Sequence, residues 1–158
     1  MKKSVVLLFS FVLILFAGIF HQVKAQTISV SGFIEKGSVK RGTIAKGSII
    51  LSIPSELHIN SNKPTSEYMI PTTVKLSGRG IKIGKIAYPK GKDRKFDFSE
   101  EAINVYEGQT LIRFAFTVPR NLKSKTIKIR ALISYQACTN EVCYAPQKKE
   151  IFLRELVK

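Results

Sequence analysis

The sequence predicts an all-β fold, an immunoglobulin-like antiparallel β-sandwich. Two observations carry this. Apolar and polar residues alternate with a period of two along several stretches, as they do in half-buried strands. About seven β-rich stretches follow one another with no βαβ pattern between them. A closed barrel is the alternative architecture. A length of 158 residues fits one domain.

Residues 26–34 (QTISVSGFI) and 43–53 (TIAKGSIILSI) are rich in β-branched side chains, and Pro54 ends the second. Residues 74–77 and 81–87 are two short runs split by Gly78 and Gly80. In 110–118, Ile112, Phe114, Phe116 and Val118 share a face opposite Arg113, Ala115 and Thr117. In 126–135, Ile127, Ile129, Ala131, Ile133 and Tyr135 share a face opposite Lys128, Arg130 and Ser134. Residues 150–157 read as a last strand. Residues 56–71 are polar and turn-rich, with Pro64 and Pro71, and read as a long loop. Residues 88–101 read as a second loop, in which Gly91 among Lys90, Lys92, Arg94 and Lys95 suggests a mobile, solvated chain. Residues 99–104 (SEEAIN) suggest at most one helical turn.

Residues 1–25 read as a cleaved signal peptide. Lys2 and Lys3 precede sixteen uncharged residues, 5–20, which at 1.5 Å rise span about 24 Å, short of a bilayer core of roughly 30 Å. Val23 and Ala25 fit the −3 and −1 positions of a cleavage site, which leaves 26–158 as the mature domain. No later segment is apolar enough to span a membrane. The formal net charge is +15. Its lysines are scattered along alternating strands in no run longer than two, without a helix, zinc site or aromatic nucleic-acid motif. This favours a solvated basic surface over nucleic-acid binding.

Cys138 and Cys143 are the only cysteines, spaced C-x4-C within YQACTNEVCYAP. A metal site needs about four ligands. His58 is the only other soft candidate in the mature chain, so neither metal nor cofactor is expected. The spacing is not the C-x-x-C of thioredoxin-like folds. A disulfide is permitted in an exported protein, and two readings of it stay open at the level of the residues. One is a static staple in a non-catalytic immunoglobulin-like binding module. The other is a redox-active pair. Closing so small a loop is worth only roughly 2 kcal/mol, and a local bridge at a turn suits opening and closing better than holding a core.

YQACTNEVCYAP resembles the active-site hairpin of the N-terminal domain of the thiol:disulfide interchange protein DsbD. Tyr135, Gln136, Cys138, Cys143 and Pro146 match its Tyr-Gln-x-Cys…Cys-x-x-Pro pattern, with four residues between the cysteines, one fewer than in some members. Residues 57–72 (LHINSNKPTSEYMIPT), 88–91 (YPKG) and 105–108 (VYEG) resemble further stretches of the family. The resemblance implies an immunoglobulin-like fold and a periplasmic location. It also implies a cysteine pair that passes electrons from a thioredoxin-like donor to oxidised periplasmic proteins. In full-length DsbD a membrane domain and a thioredoxin-like domain follow on the same chain. This sequence has neither, so the expected electron donor in the membrane and the thioredoxin-like partners are separate polypeptides.

The resemblance also assigns roles to the two cysteines and to an aromatic cap. Cys143 corresponds to the sulfur that forms mixed disulfides with partners, and Cys138 resolves them. A family cap loop lays an aromatic ring over the disulfide. A gapless reading from YPKG puts Phe98 there, with Phe96 the alternative, and edge-of-core packing is the competing reading for both. His58 is either a proton relay near the cysteines or a loop histidine bonded to backbone. Tyr135 and Tyr144 flank the pair as packing residues, since a phenol near pKa 10 is a poor proton donor at neutral pH.

Overall fold

The computed structural model describes residues 27–37, 39–65 and 68–158. The predicted signal peptide and its cleavage site lie outside them. Eleven strands are formed: β1 (Ser29–Ile34), β2 (Ile44–Ser52), β3 (His58–Asn60), β4 (Thr73–Gly78), β5 (Lys82–Ala87), β6 (Lys92–Arg94), β7 (Ile103–Tyr106), β8 (Gln109–Thr117), β9 (Thr126–Tyr135), β10 (Ala137–Cys138) and β11 (Gln147–Leu156). No helix occurs among the described residues.

Two sheets make the sandwich, β1-β2-β8-β5 and β11-β9-β4, and every strand pair is antiparallel. Their facing sides form one core. Ile49 and Leu51 of β2, Ile112, Phe114 and Phe116 of β8, and Ile127, Ile129, Ala131 and Ile133 of β9 are all buried in it. The period-two faces read from the sequence are the buried faces, because a strand half-covered by a second sheet must send alternate side chains inward. Among the described residues, no helix is long and apolar enough to cross a membrane.

A third sheet, β10-β3-β7-β6, collects the short strands. It corrects three sequence expectations. The long loop over 56–71 contains β3, whose three residues are all buried. The second loop contains β6, paired with β7 from Lys92↔Val105 to Arg94↔Ile103. Gly91 there is a packing residue, since an added Cβ would collide with Asn104 Oδ1 and Ser61 Cβ. SEEAIN forms no helical turn. Ser99 Oγ donates to Glu101 O at 2.8 Å, and the chain enters β7 at Ile103. A separate small cluster of Phe96, Ile103 and Val105, with Met69 against it, packs beside this sheet.

Candidate functional site

Both cysteines lie in the connection between β9 and β11, and they are bonded to each other at 2.03 Å. β9 ends at Tyr135, and after Gln136 the chain turns onto β3, pairing Ala137 with Ile59 and Cys138 with His58. A tight turn follows. Thr139 N donates to Val142 O at 2.8 Å, while Thr139 Oγ1 accepts from Glu141 N (3.2 Å) and Val142 N (3.1 Å). This is the local side-chain bonding that makes threonine a turn residue. Cys143 then returns opposite Cys138, and Tyr144 N closes the hairpin on Ala137 O at 2.8 Å.

The two sulfurs are unequal. Cys138 is 1% exposed. Cys143 is half-buried, and its neighbours Val142 and Tyr144 are exposed. Gln136 is the clamp between hairpin and sheet. Its Nε2 donates to Tyr144 O at 3.1 Å, and its Oε1 accepts from Asn60 Nδ2 at 3.3 Å. Asn60 Nδ2 also donates to Ile70 O at 3.1 Å, which satisfies a polar group buried on β3. Tyr135 is buried, and its hydroxyl donates to Gln147 Oε1 at 3.1 Å. Burial raises its pKa, so the phenol stays protonated.

Three rings stack beside the pair. The His58 and Phe96 centroids are 3.9 Å apart with planes 15° from parallel, and the Phe96 and Phe98 centroids are 5.3 Å apart at 4°. Phe96 is 5% exposed and Phe98 37%. The segment between the two phenylalanines is tied to the cysteine hairpin, because Asp97 N donates to Asn140 O at 3.4 Å. Its turn is held by Ser99 N donating to Phe96 O at 3.1 Å. His58, expected on a loop, sits on β3 and is 4% exposed. Burial lowers its pKa, and the Glu107 carboxylate partly opposes that. Glu107 is itself held by Arg94 through contacts of 2.8 and 2.9 Å, with Lys92 at 3.6 Å, and this Arg94 pairing depresses the carboxyl pKa.

The structure thus brings Cys138, Cys143, His58, Phe96, Phe98, Gln136 and Tyr144 to one end of the sandwich, with Tyr135 beneath them. Sequence reasoning missed Asn60, Asn140 and Glu107. No pattern marks an asparagine or a glutamate that acts through hydrogen bonds or charge across strands far apart in the chain. Among the described residues, no cluster of three or more His, Cys, Asp or Glu side chains is placed to hold a metal ion.

The family model for the thiol:disulfide interchange protein DsbD, N-terminal, matches residues 45–155. Among solved structures, the N-terminal periplasmic domain of ScsB from Proteus mirabilis is similar at 9% identity with a TM-score of 0.52. That likeness covers 80% of this chain and 44% of that one, so the present chain spans less than half of it. The N-terminal domain of Neisseria meningitidis DsbD in the reduced form is similar at 13% identity with a TM-score of 0.48, over 83% of this chain and 86% of that one. No curated protein matches the chain. The ScsB likeness agrees with the sandwich described above. The family match runs through most of the sandwich and contains both cysteines and the three stacked rings, and on it the chain belongs to the DsbD N-terminal domain family.

Proposed function

We propose that the protein is a periplasmic thiol–disulfide interchange domain. It accepts electrons from a thioredoxin-like donor and reduces oxidised periplasmic proteins through Cys138 and Cys143. The observation that carries this reading is the placement of the bridge. It closes a hairpin of its own, joins a buried sulfur to a half-buried one, and ties no distant strands together. Exchange requires thiolate attack on a reachable sulfur, and Cys143 is the more reachable of the two. The mature chain in this reading begins at Gln26.

A redox titration against glutathione tests it. An exchange-active pair equilibrates at a potential less negative than about −300 mV. A value well below that marks a static bridge and favours the binding-module reading.

Phe98 acts here as the outer leaf of a cap. It rests on Phe96, whose ring also stacks on His58, the strand partner of Cys138. Such aromatic pairs contribute about 0.5–1.5 kcal/mol, enough to keep a cap closed and little enough for a docking partner to displace. Phe98→Ala is expected to speed reaction of the pair with dithiothreitol by about tenfold if ~1.4 kcal/mol of closure is lost. Melting temperature should change little, because the ring is already partly in water. An unchanged rate together with a large loss of stability would make Phe98 a packing residue and no cap.

A further inference from the structure

Among the described residues, His58 Nε2 is the only buried side-chain nitrogen or oxygen without a hydrogen-bond partner. An unpaired polar atom in a protein interior is costly and calls for an explanation. The position of His58 supplies one. It is paired with Cys138 across β3 and β10, and residues directly opposite in an antiparallel pair send their side chains to the same face, with Cβ atoms about 4.5–5.5 Å apart. The Phe96 ring stacks against the imidazole and helps keep water from it. An imidazole is thus enclosed next to the less accessible of the two sulfurs, the one with least access to solvent as a proton acceptor.

We propose that His58 accepts the proton of the Cys138 thiol when that sulfur closes the disulfide, and returns it when the disulfide is reduced. This rests on the exchange function proposed above. In the first step the Cys143 thiolate attacks a partner disulfide. The partner's S–S bond breaks, a bond from Cys143 to the partner forms, and one partner sulfur leaves as thiolate. In the second step Cys138 gives its proton to His58 Nε2, and its electron pair attacks the Cys143 sulfur. The Cys138–Cys143 bond forms, the bond to the partner breaks, and the second partner thiolate departs and takes the proton from the imidazolium. The pair has lost two electrons and the partner has gained them.

The charges around the imidazole suit this role. Burial keeps it neutral near pH 7, ready to accept a proton. Glu107 on the turn after β7 is the carboxylate that favours the imidazolium once formed, and Arg94 and Lys92 of β6 hold that carboxylate ionised. Lys95 and Asp97, which flank Phe96, and Glu141 in the cysteine hairpin are exposed to solvent.

Stopped-flow reaction of the reduced protein with 4,4′-dithiodipyridine tests the proposal, because each chemical step releases one thiopyridone. The first release depends on reagent concentration and reports attack by Cys143. The second does not, and it reports closure by Cys138. With His58 as acceptor, the second rate is nearly level from pH 8 through about pH 6.5 and falls only at lower pH, where the imidazole, its pKa lowered by burial, protonates. In His58→Gln the same rate rises about tenfold per pH unit until the thiol ionises on its own near pH 8.5. The variant should therefore lag by roughly tenfold or more at pH 6.5 and by less than about twofold at pH 9. An equal loss at every pH would reduce His58 to a packing residue and overturn the proposal. So would a wild-type second phase that already climbs tenfold per unit, a readout that stands even if the variant does not fold. A wild-type protein with no second release fails at the exchange reading itself, and this inference falls with it.

Discussion

Cys138→Ser is expected to abolish turnover and to leave the protein joined to a thioredoxin-like partner through Cys143, while Cys143→Ser accumulates no such adduct. The asymmetry follows from exposure. Cys143 is half-buried on the returning arm of the hairpin, and Cys138 is buried against β3. In the proposed exchange a thiolate at Cys143 attacks a partner's disulfide, and once Cys138 has lost its sulfur nothing on this chain remains to expel that partner, which can leave only by the reverse attack of its own freed thiolate. Mixing either variant with an oxidised thioredoxin-like protein and separating the products without reductant gives the answer directly. Fold is the control. The bridge closes a loop of sequence separation 5, and losing it should cost only roughly 2 kcal/mol. Both variants should therefore melt cooperatively. Equal trapping by both, or by neither, would remove the assignment of roles to the two sulfurs.

Phe96→Ala is expected to be the most destabilising change at the site, by about 3–5 kcal/mol. The ring is almost fully buried, stacks on His58 and Phe98, and belongs to the small cluster with Ile103 and Val105. Its removal opens a void that two short strands, β6 and β7, are poorly placed to refill. The melting temperature should fall by about 10 °C or more, given a few degrees per kcal/mol for a domain of this size. Because this cluster is separate from the sandwich core, amide exchange should quicken in β6 and β7 before it does in β8 and β9. A shift under about 2 °C in a thermal melt would mean that the neighbours collapse into the space. The contrast with Phe98→Ala is informative, because the two rings are parallel neighbours. One change should act mainly on stability and the other mainly on access to the sulfurs.

The sandwich was legible in the sequence, and the sheet that carries the site was not. β8 and β9 are long enough for alternation to repeat several times, and their buried faces are the ones their patterns mark, while β2 was legible from its β-branched content. β3, β6 and β10 are two or three residues long, too short for any period to show. β3 adds a second difficulty, since all three residues are buried and two of them, His58 and Asn60, are polar. In a sequence such a stretch reads as loop. Only the register with β10, formed across about eighty residues of chain, explains why a histidine is enclosed there. The cysteines were legible because their chemistry is written in residue type and spacing. The two phenylalanines were legible as candidates, yet their different depths arise from the turn closed by Ser99 N and Phe96 O, which the sequence does not announce.

The hairpin clamp has a mechanical consequence. One arm, through Ala137 and Cys138, is stitched into a sheet, whereas the other, from Glu141 to Tyr144, is bonded to the first arm, its own turn and the Gln136 side chain. One sulfur is a fixed post and the other rides on a tether. In the exchange proposed above, opening the bridge would leave the tethered sulfur free to follow a docked partner outward and swing back carrying it, while the post holds its line of approach. Substitution in an exchange reaction needs the incoming sulfur to meet the bond end-on. A stationary nucleophile and a pivoting target reach that alignment with a single degree of freedom, and the sandwich behind them has no need to move.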